Sequence, residues 1–360
     1  MKKILLYIDM LDRTGAQRVL ANLAVHFSNI GMDVVFVNDF PRKEGSHQFI
    51  LPLEIKRVYL KDNNQGNALI KNVVRIGRLR TVIRKEKPDV VLSFMGRPNL
   101  RMLVATLGMR KIKKCVSVRN DPNKEYGRSG LRKKLTNFLF GFADGCVFQT
   151  KDATKYFRQD LVRRSRIILN PVNNLFYEQQ RSDKPKDIVT FGRLEPQKNH
   201  RLLLRSFAAI ADQTVDNLYI YGEGPLRQAL TEEAKVLGIE QRVFFPGNIA
   251  DVEKKLAEAK LFVLSSDYEG LPNALMEAIA VGVPVISTNC PCGGPKMLIR
   301  SEREGMLIPC GDEKCLAEAM KEILVNESLQ QDMSFNEKAR AEEYRGSVIY
   351  RQWEEYLNSL

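Results

Sequence analysis

The chain has 360 residues, with 56 Lys and Arg against 43 Asp and Glu and 44% hydrophobic residues. At about 100–200 residues per domain that length accommodates two domains, and the composition excludes a disordered chain, a collagen-like repeat and a disulfide scaffold. The longest nearly uninterrupted apolar stretches, Met102–Met109 and Ala278–Ile286, fall far short of the roughly 20 residues of a membrane-spanning helix.

The start, Met1-Lys2-Lys3 followed by Ile4–Ile8, resembles a secretion signal only briefly. Asp9, Asp12 and Arg13 interrupt the apolar run, and no small-residue cleavage site follows. A soluble, cytoplasmic, globular protein is therefore expected. Its three His (His26, His47, His200) are scattered, and its six Cys (Cys115, Cys146, Cys290, Cys292, Cys310, Cys315) match no paired knuckle spacing, so no metal site is predicted. Charge is unevenly spread. Residues 1–180 carry 34 Lys and Arg against 15 Asp and Glu, whereas residues 181–360 carry 22 against 28. A polyanion or an anionic membrane surface is the expected partner of the first half.

In chain order, the apolar and β-branched runs predict strands at Ile4–Ile8, Val34–Val37, Val90–Phe94, Cys115–Val118, Cys146–Gln149 and Ile167–Leu169. Further strands are expected at Ile188–Phe191, Leu218–Tyr221, Val243–Phe245, Leu261–Leu264, Pro284–Ser287 and Met306–Ile308. Helical patterns fall between them, such as Gln17–Ile30, with Leu20, Leu23, Ala24, Phe27 and Ile30 at helical spacing before Gly31. This alternation predicts an α/β fold with parallel sheets, and twelve strands divide best into two doubly wound domains. The boundary is placed at 1–175 and 176–340, near the polar stretch Glu178–Asp187 and the change in charge balance. Residues 341–360, with the only tryptophan, Trp353, form a closing helix.

The sequence has no Walker A phosphate loop, and Gly222-Glu223-Gly224-Pro225 lacks the third glycine of a dinucleotide fingerprint. Two strand-to-helix junctions nevertheless suit a phosphate. Phe191-Gly192-Arg193-Leu194-Glu195-Pro196-Gln197-Lys198-Asn199 puts a guanidinium fork and an ammonium at the carboxyl end of a strand. Ser265-Ser266-Asp267-Tyr268-Glu269-Gly270-Leu271-Pro272-Asn273-Ala274-Leu275-Met276-Glu277-Ala278 opens a helix whose first N–H groups have no carbonyl partner within the helix. Glu269 beside such an anion site needs a hydroxyl-rich group between, and sugar hydroxyls fit because ionised carboxylates only accept hydrogen bonds.

Glu269-x7-Glu277 within EGLPNALMEA, preceded by GRLEPQKN and followed by GVPVIST, resembles the family 4 retaining glycosyltransferases of the GT-B fold. Thr14-Gly15-Ala16-Gln17-Arg18, Asn170-Pro171-Val172, Gly222-Glu223-Gly224-Pro225 and Glu304-Gly305-Met306-Leu307-Ile308-Pro309 follow in family order, so the resemblance spans nearly the whole chain. It implies two Rossmann-like domains facing across a cleft, with the last helix crossing back to the first. It also implies a nucleoside-diphosphate sugar as donor substrate, expected to be UDP-linked, with no further cofactor.

By that resemblance Arg193 and Lys198 hold the donor diphosphate, Glu277 the ribose and Glu269 the donor sugar. Gly270, Leu271, Pro272 and Asn273 supply contacts to sugar and phosphate, Gly15 approaches from the first domain, and the base rests near Gly247-Asn248-Ile249. Glu269, Arg193 and Lys198 form the catalytic set. Two departures stand out. The first loop lacks the usual doubled glycine, and the histidine many members carry in the first-domain cleft is replaced by Ser117-Val118-Arg119-Asn120-Asp121-Pro122, in which Arg119, Asn120 or Asp121 takes its place.

The expected activity is transfer of a hexose or N-acetylhexosamine, with retention, to a glycan or polyprenyl-diphosphate-linked saccharide for a surface polysaccharide. The enzyme would work as a peripheral protein on the anionic inner face of the cell membrane. Lys71–Lys87 and Arg128–Phe142, in which cations lead into a Leu- and Phe-rich helix, are the expected lipid contacts. The alternative for the second segment is an ordinary core helix burying Leu135, Phe138, Leu139 and Phe142. A sugar-nucleotide enzyme with a soluble acceptor is the alternative function. A nucleic-acid binder is disfavoured because the basic half lacks an RNP, zinc-finger or interleaved aromatic pattern.

Overall fold

In the computed structural model, described here for residues 1–11, 15–40, 51–60 and 67–360, the strands build two separate parallel sheets. The first holds β1 (Lys3–Ile8), β2 (Asp33–Asn38), β3 (Lys56–Tyr59), β4 (Val90–Phe94), β5 (Lys113–Val118), β6 (Gly145–Phe148) and β7 (Ser165–Ile167) in the order β3-β2-β1-β4-β5-β6-β7. Ile4 lies opposite Val34 on one side and Val90 on the other, and Ile4 through Ile8 are all fully buried. Strands covered on both faces must be apolar at every position, which is why they read as unbroken hydrophobic runs.

The second sheet holds β8 (Lys186–Phe191), β9 (Leu218–Tyr221), β10 (Val243–Gly247), β11 (Ala259–Leu264), β12 (Val285–Thr288) and β13 (Met306–Ile308) in the order β10-β9-β8-β11-β12-β13. In each sheet the winding reverses beside the first strand, between β1 and β4 and between β8 and β11. Open α/β sheets bind ligands outside the carboxyl ends of such a pair.

Three details differ from the sequence reading. The edge strand β3 carries no fully buried residue, so Lys56-Arg57-Val58-Tyr59 has no apolar run to betray it. β7 lies two residues ahead of the expected Ile167–Leu169. In the helix Gly15–Asn29, Leu20, Leu23, Ala24 and Phe27 are buried as expected, but Ile30 follows the helix and is 47% exposed.

The chain forms two compact units, Met1–Asn170 with Ile349–Leu360, and Pro171–Val348. The crossings fall slightly outside the positions read from composition, for local reasons. The short helix Asn174–Tyr177 packs on the helix Asn273–Val281 and buries Phe176. At the other end, Val172 N–H donates to the Tyr344 carbonyl at 3.0 Å, and the Tyr177 hydroxyl donates to the Ala341 carbonyl at 2.8 Å. Residues 341–348 thus stay with the second unit.

From Ile349 onward the last helix, Gly346–Ser359, completes the first unit. Trp353 is fully buried, its ring centroid 5.7 Å from that of Phe94. Cys146 N–H donates to the Tyr356 hydroxyl at 2.8 Å, and that hydroxyl donates to the Arg164 carbonyl at 2.5 Å. Among the described residues no helix is long and apolar enough to cross a membrane.

Candidate functional site

β8 and β11, the two central strands of the second unit, deliver the expected residues from their carboxyl ends. After Phe191 the backbone enters a tight turn held from one side by residues 222–224. A Cβ at Gly222, whose φ is +131°, would fall 1.9 Å from the Gly192 carbonyl oxygen. Leu194 N–H donates to the Glu223 carbonyl and Leu226 N–H to the Leu194 carbonyl, each at 3.0 Å. The GxGP turn therefore acts as a backstop to the cationic loop. Arg193 protrudes, its side chain 59% exposed and paired to Glu195 at 2.8 Å. Lys198 closes the short 3₁₀ turn Pro196–Lys198 and points inward.

The loop after β11 meets it. Lys198 Nζ donates to Glu269 Oε1 at 2.6 Å, and the Ser266 hydroxyl donates to the same oxygen at 2.7 Å. Side-chain exposures of 17% and 9% make Lys198–Glu269 a largely desolvated pair, in which each partner's loss would leave the other uncompensated. A second clamp comes from residues 290–294. Glu269 N–H donates to the Pro291 carbonyl at 2.6 Å and Cys292 N–H to the Glu269 carbonyl at 2.7 Å. A Cβ at Gly294 would fall 1.8 Å from the Gly270 carbonyl oxygen.

Pro272 then precedes the helix Asn273–Val281 rather than forming its first turn. Glu277 is 7% exposed and lies in the second turn of that helix. Cations, two carboxylates and a helix start thus converge at one switch point, which suits an anionic group joined to a polyhydroxylated one.

Comparison with known proteins agrees. Residues 13–174 match the family described as Glycosyltransferase Family 4, and residues 172–341 that described as Glycosyl transferases group 1. A Rhizobium meliloti lipopolysaccharide core biosynthesis glycosyltransferase is 31% identical, the alignment covering 75% of this chain and 76% of that protein. The chain belongs to glycosyltransferase family 4.

A relative in Campylobacter jejuni is 29% identical over 98% of this chain and 97% of its own length. It is a GalNAc-alpha-(1->4)-GalNAc-alpha-(1->3)-diNAcBac-PP-undecaprenol alpha-1,4-N-acetyl-D-galactosaminyltransferase. Among solved structures, Anabaena HepE in complex with UDP superposes with a TM-score of 0.82 at 17% identity, covering all of both chains. The fold of this glycosyltransferase is accordingly of the GT-B type.

The remaining expected residues are spread more widely. Asn248 and Ile249 follow β10 at the same carboxyl edge of the second sheet, Asn248 exposed and Ile249 half-buried. Gly15 opens the helix Gly15–Asn29 in the first unit, whereas Thr14 lies outside the described residues, as do Asp12, Arg13 and His47.

Of the three candidates for the missing histidine, two are engaged in the glycosyltransferase's own architecture. Arg119 is 6% exposed, donates to the Asn170 side chain and lies 4.4 Å over the Phe94 ring; burial pulls its pKa down to about 9. Asp121 accepts from Asn123 N–H at 2.9 Å and so caps the helix Pro122–Tyr126. Asn120 is half-buried, its side-chain oxygen accepting from Asp121 N–H at 2.9 Å.

Sequence reasoning gave no role to Ser266 or to residues 290–294, which support the loop after β11. Ser266 stood within the quoted motif, but its tie to Glu269 depends on how the loop turns. All six cysteines are free thiols, and Cys115, Cys146, Cys290 and Cys292 are buried.

Proposed function

We propose that this glycosyltransferase moves a hexose or N-acetylhexosamine, with retention, from a UDP-sugar to a polyprenyl-diphosphate-linked saccharide in surface polysaccharide assembly. The observation that carries the reading is the Lys198–Glu269–Ser266 cluster at the β8/β11 switch point. The donor diphosphate would face Lys198, Arg193 and the start of the helix Asn273–Val281, with Glu277 toward the ribose, Glu269 toward the sugar and the base near Asn248 and Ile249. As the bond from the anomeric carbon to the phosphate oxygen breaks, those cations and backbone dipoles stabilise the charge gathering on the leaving group. The acceptor hydroxyl attacks from the same face, and its proton passes to the departing diphosphate oxygen. Glu269 already accepts hydrogen bonds from Lys198 and Ser266, which favours an electrostatic role over that of a covalent nucleophile.

The lipid-linked acceptor is supported by the Campylobacter relative and by the surface of the first unit. On the helix Gly130–Phe140, Thr136 and Phe140 face inward, while Leu131, Leu135 and Phe138 are 81%, 55% and 60% exposed. Phe142 beyond it is exposed too and Leu139 half-buried, so the core-helix alternative for this segment does not hold. Arg128, Lys133, Lys134 and Arg158 ring an adjoining cavity of about 500 Å³. An apolar ridge bordered by cations suits an anionic bilayer surface.

The other expected basic stretch contributes less than its sequence suggests. Arg78 and Arg80 donate to backbone carbonyls and Arg75 lies over Phe40, although Leu69, Ile70 and Val73 stand exposed beside them.

Purified protein mixed with a panel of UDP-sugars and a detergent extract of lipid-linked saccharides should release UDP with one of the donors. No release from any UDP-sugar, with or without the extract, would refute the donor assignment; equal transfer to water-soluble glycans would refute the lipid-linked acceptor. Sedimentation with vesicles checks the surface. Binding should require anionic lipid and fall steeply with salt, since each basic residue near such lipid contributes only about 1 kcal/mol. Replacing Arg132, Lys133 and Lys134 together by Gln should weaken sedimentation and leave donor hydrolysis intact. Equal binding to neutral and anionic vesicles would show that this surface is not used as proposed.

A further inference from the structure

The loop after β11 lies between two others, because the strand order β8-β11-β12 sets the loop bearing Lys198 on one side of it and residues 290–294 on the other. The peptide joining Tyr268 to Glu269 is held from both sides. Its N–H donates to the Pro291 carbonyl at 2.6 Å, and its carbonyl accepts from the Gln197 side-chain amide at 2.9 Å. The next carbonyl, that of Glu269, accepts from Cys292 N–H at 2.7 Å. Of these three ties only Gln197 uses a side chain, and it reaches across 71 residues to the peptide that carries the carboxylate. The reaction above gives Gln197 no part.

The Lys198 side of the cluster does not depend on that amide. Lys198 N–H donates to the Glu195 carbonyl at 3.0 Å and Asn199 N–H to the Pro196 carbonyl at 3.1 Å, so the turn closes on itself. The Ser265 hydroxyl donates to the Lys198 carbonyl at 2.9 Å, and Asp267 N–H donates to the Gln197 carbonyl at 2.9 Å. Removing the Gln197 amide therefore leaves Lys198 braced and frees one end of the Tyr268–Glu269 peptide. A diphosphate that draws on Lys198 also weakens its 2.6 Å pairing with Glu269, and the carboxylate must then keep its place by its backbone.

We infer that Gln197 is a positioning residue for transfer: its amide, donating to the Tyr268 carbonyl, fixes the peptide that aims the Glu269 carboxylate at the donor sugar. This inference rests on the donor reading above and adds to it a residue that acts through Glu269.

Gln197→Met and Gln197→Ala both remove the donor group, the first with little change in volume. Each should bind free UDP within about twofold of wild type and keep the donor KM, while kcat for UDP release from the UDP-sugar falls about tenfold, the scale of one hydrogen bond acting through its neighbour. A fall in UDP affinity as large as that in kcat would mark a merely structural role and overturn the inference. The sharper comparison is a double-mutant cycle with Glu269→Ala. In a background that already lacks the carboxylate, Gln197→Met should cost no more than about twofold, because nothing is left to aim. A further loss of about tenfold in that background, or wild-type kcat in both single variants, would overturn it too.

Amide hydrogen exchange supplies a reading that needs no donor. In Gln197→Met the Glu269 amide should exchange about tenfold faster, while the Asp267 amide, bonded to the Gln197 backbone, keeps its wild-type protection. Equal exchange at Glu269 in wild type and variant would overturn the inference. If wild-type protein neither binds nor releases UDP, the donor reading fails by itself, and the exchange measurement still decides whether Gln197 holds this peptide.

Discussion

Lys198→Ala should lower turnover with the UDP-sugar by about a hundredfold or more, the scale on which a preorganised charge facing a leaving group contributes. Two losses combine. The ammonium no longer faces the departing diphosphate, and Glu269, which is 7% exposed, keeps only Ser266 of its two side-chain donors. Arg193→Ala should produce a loss of similar order by a different route. Its guanidinium is exposed and held by Glu195, so it serves the diphosphate only by exchanging one anion for another. Stopped assays of UDP release measure both variants, and EDTA should leave wild-type rates unchanged. Full activity in either variant, or abolition by the chelator, would count against this site.

The two carboxylates should part company under the same assays. Glu277→Gln should weaken binding of free UDP by about tenfold, because its expected partners are ribose hydroxyls and a charged acceptor makes the stronger hydrogen bond. Glu269→Gln should leave UDP affinity within about threefold and reduce transfer by about a hundredfold, since its partners lie on the sugar side and their contacts tighten in the transition state. Calorimetry with UDP and initial rates with the full donor separate the two effects. Variants that respond alike to free UDP would show the roles to be wrongly divided.

The sheets were legible because parallel strands buried on both faces leave uninterrupted apolar runs, as in Ile4–Ile8 and Leu261–Leu264. Where burial is incomplete the signal fades: β3 was missed, and β7 was read two residues late. The cationic loop and the Glu269–Glu277 segment were each readable as local motifs, but nothing local tells Lys198 that its partner is Glu269, 71 residues away.

Arg119 shows the converse. Standing in the motif that replaces the histidine of many family members made it a candidate for substrate contact, and contacts with Phe94 and Asn170 engage it in the interior. The helix Gly130–Phe140 has a pattern compatible with either a core face or an interfacial one, and only the packed structure reveals that Leu131, Leu135 and Phe138 are turned outward.

The return of Ile349–Leu360 to the first unit has a consequence for how the protein is made. Domains ordinarily fold in the order in which they leave the ribosome. Here the second unit, Pro171–Val348, has all its strands and helices available while the first still lacks the indole that stacks on Phe94 and the hydroxyl that bridges Cys146 and Arg164. The half translated first is thus the half that must wait, and during synthesis its most basic helices stay attached to an unfinished core.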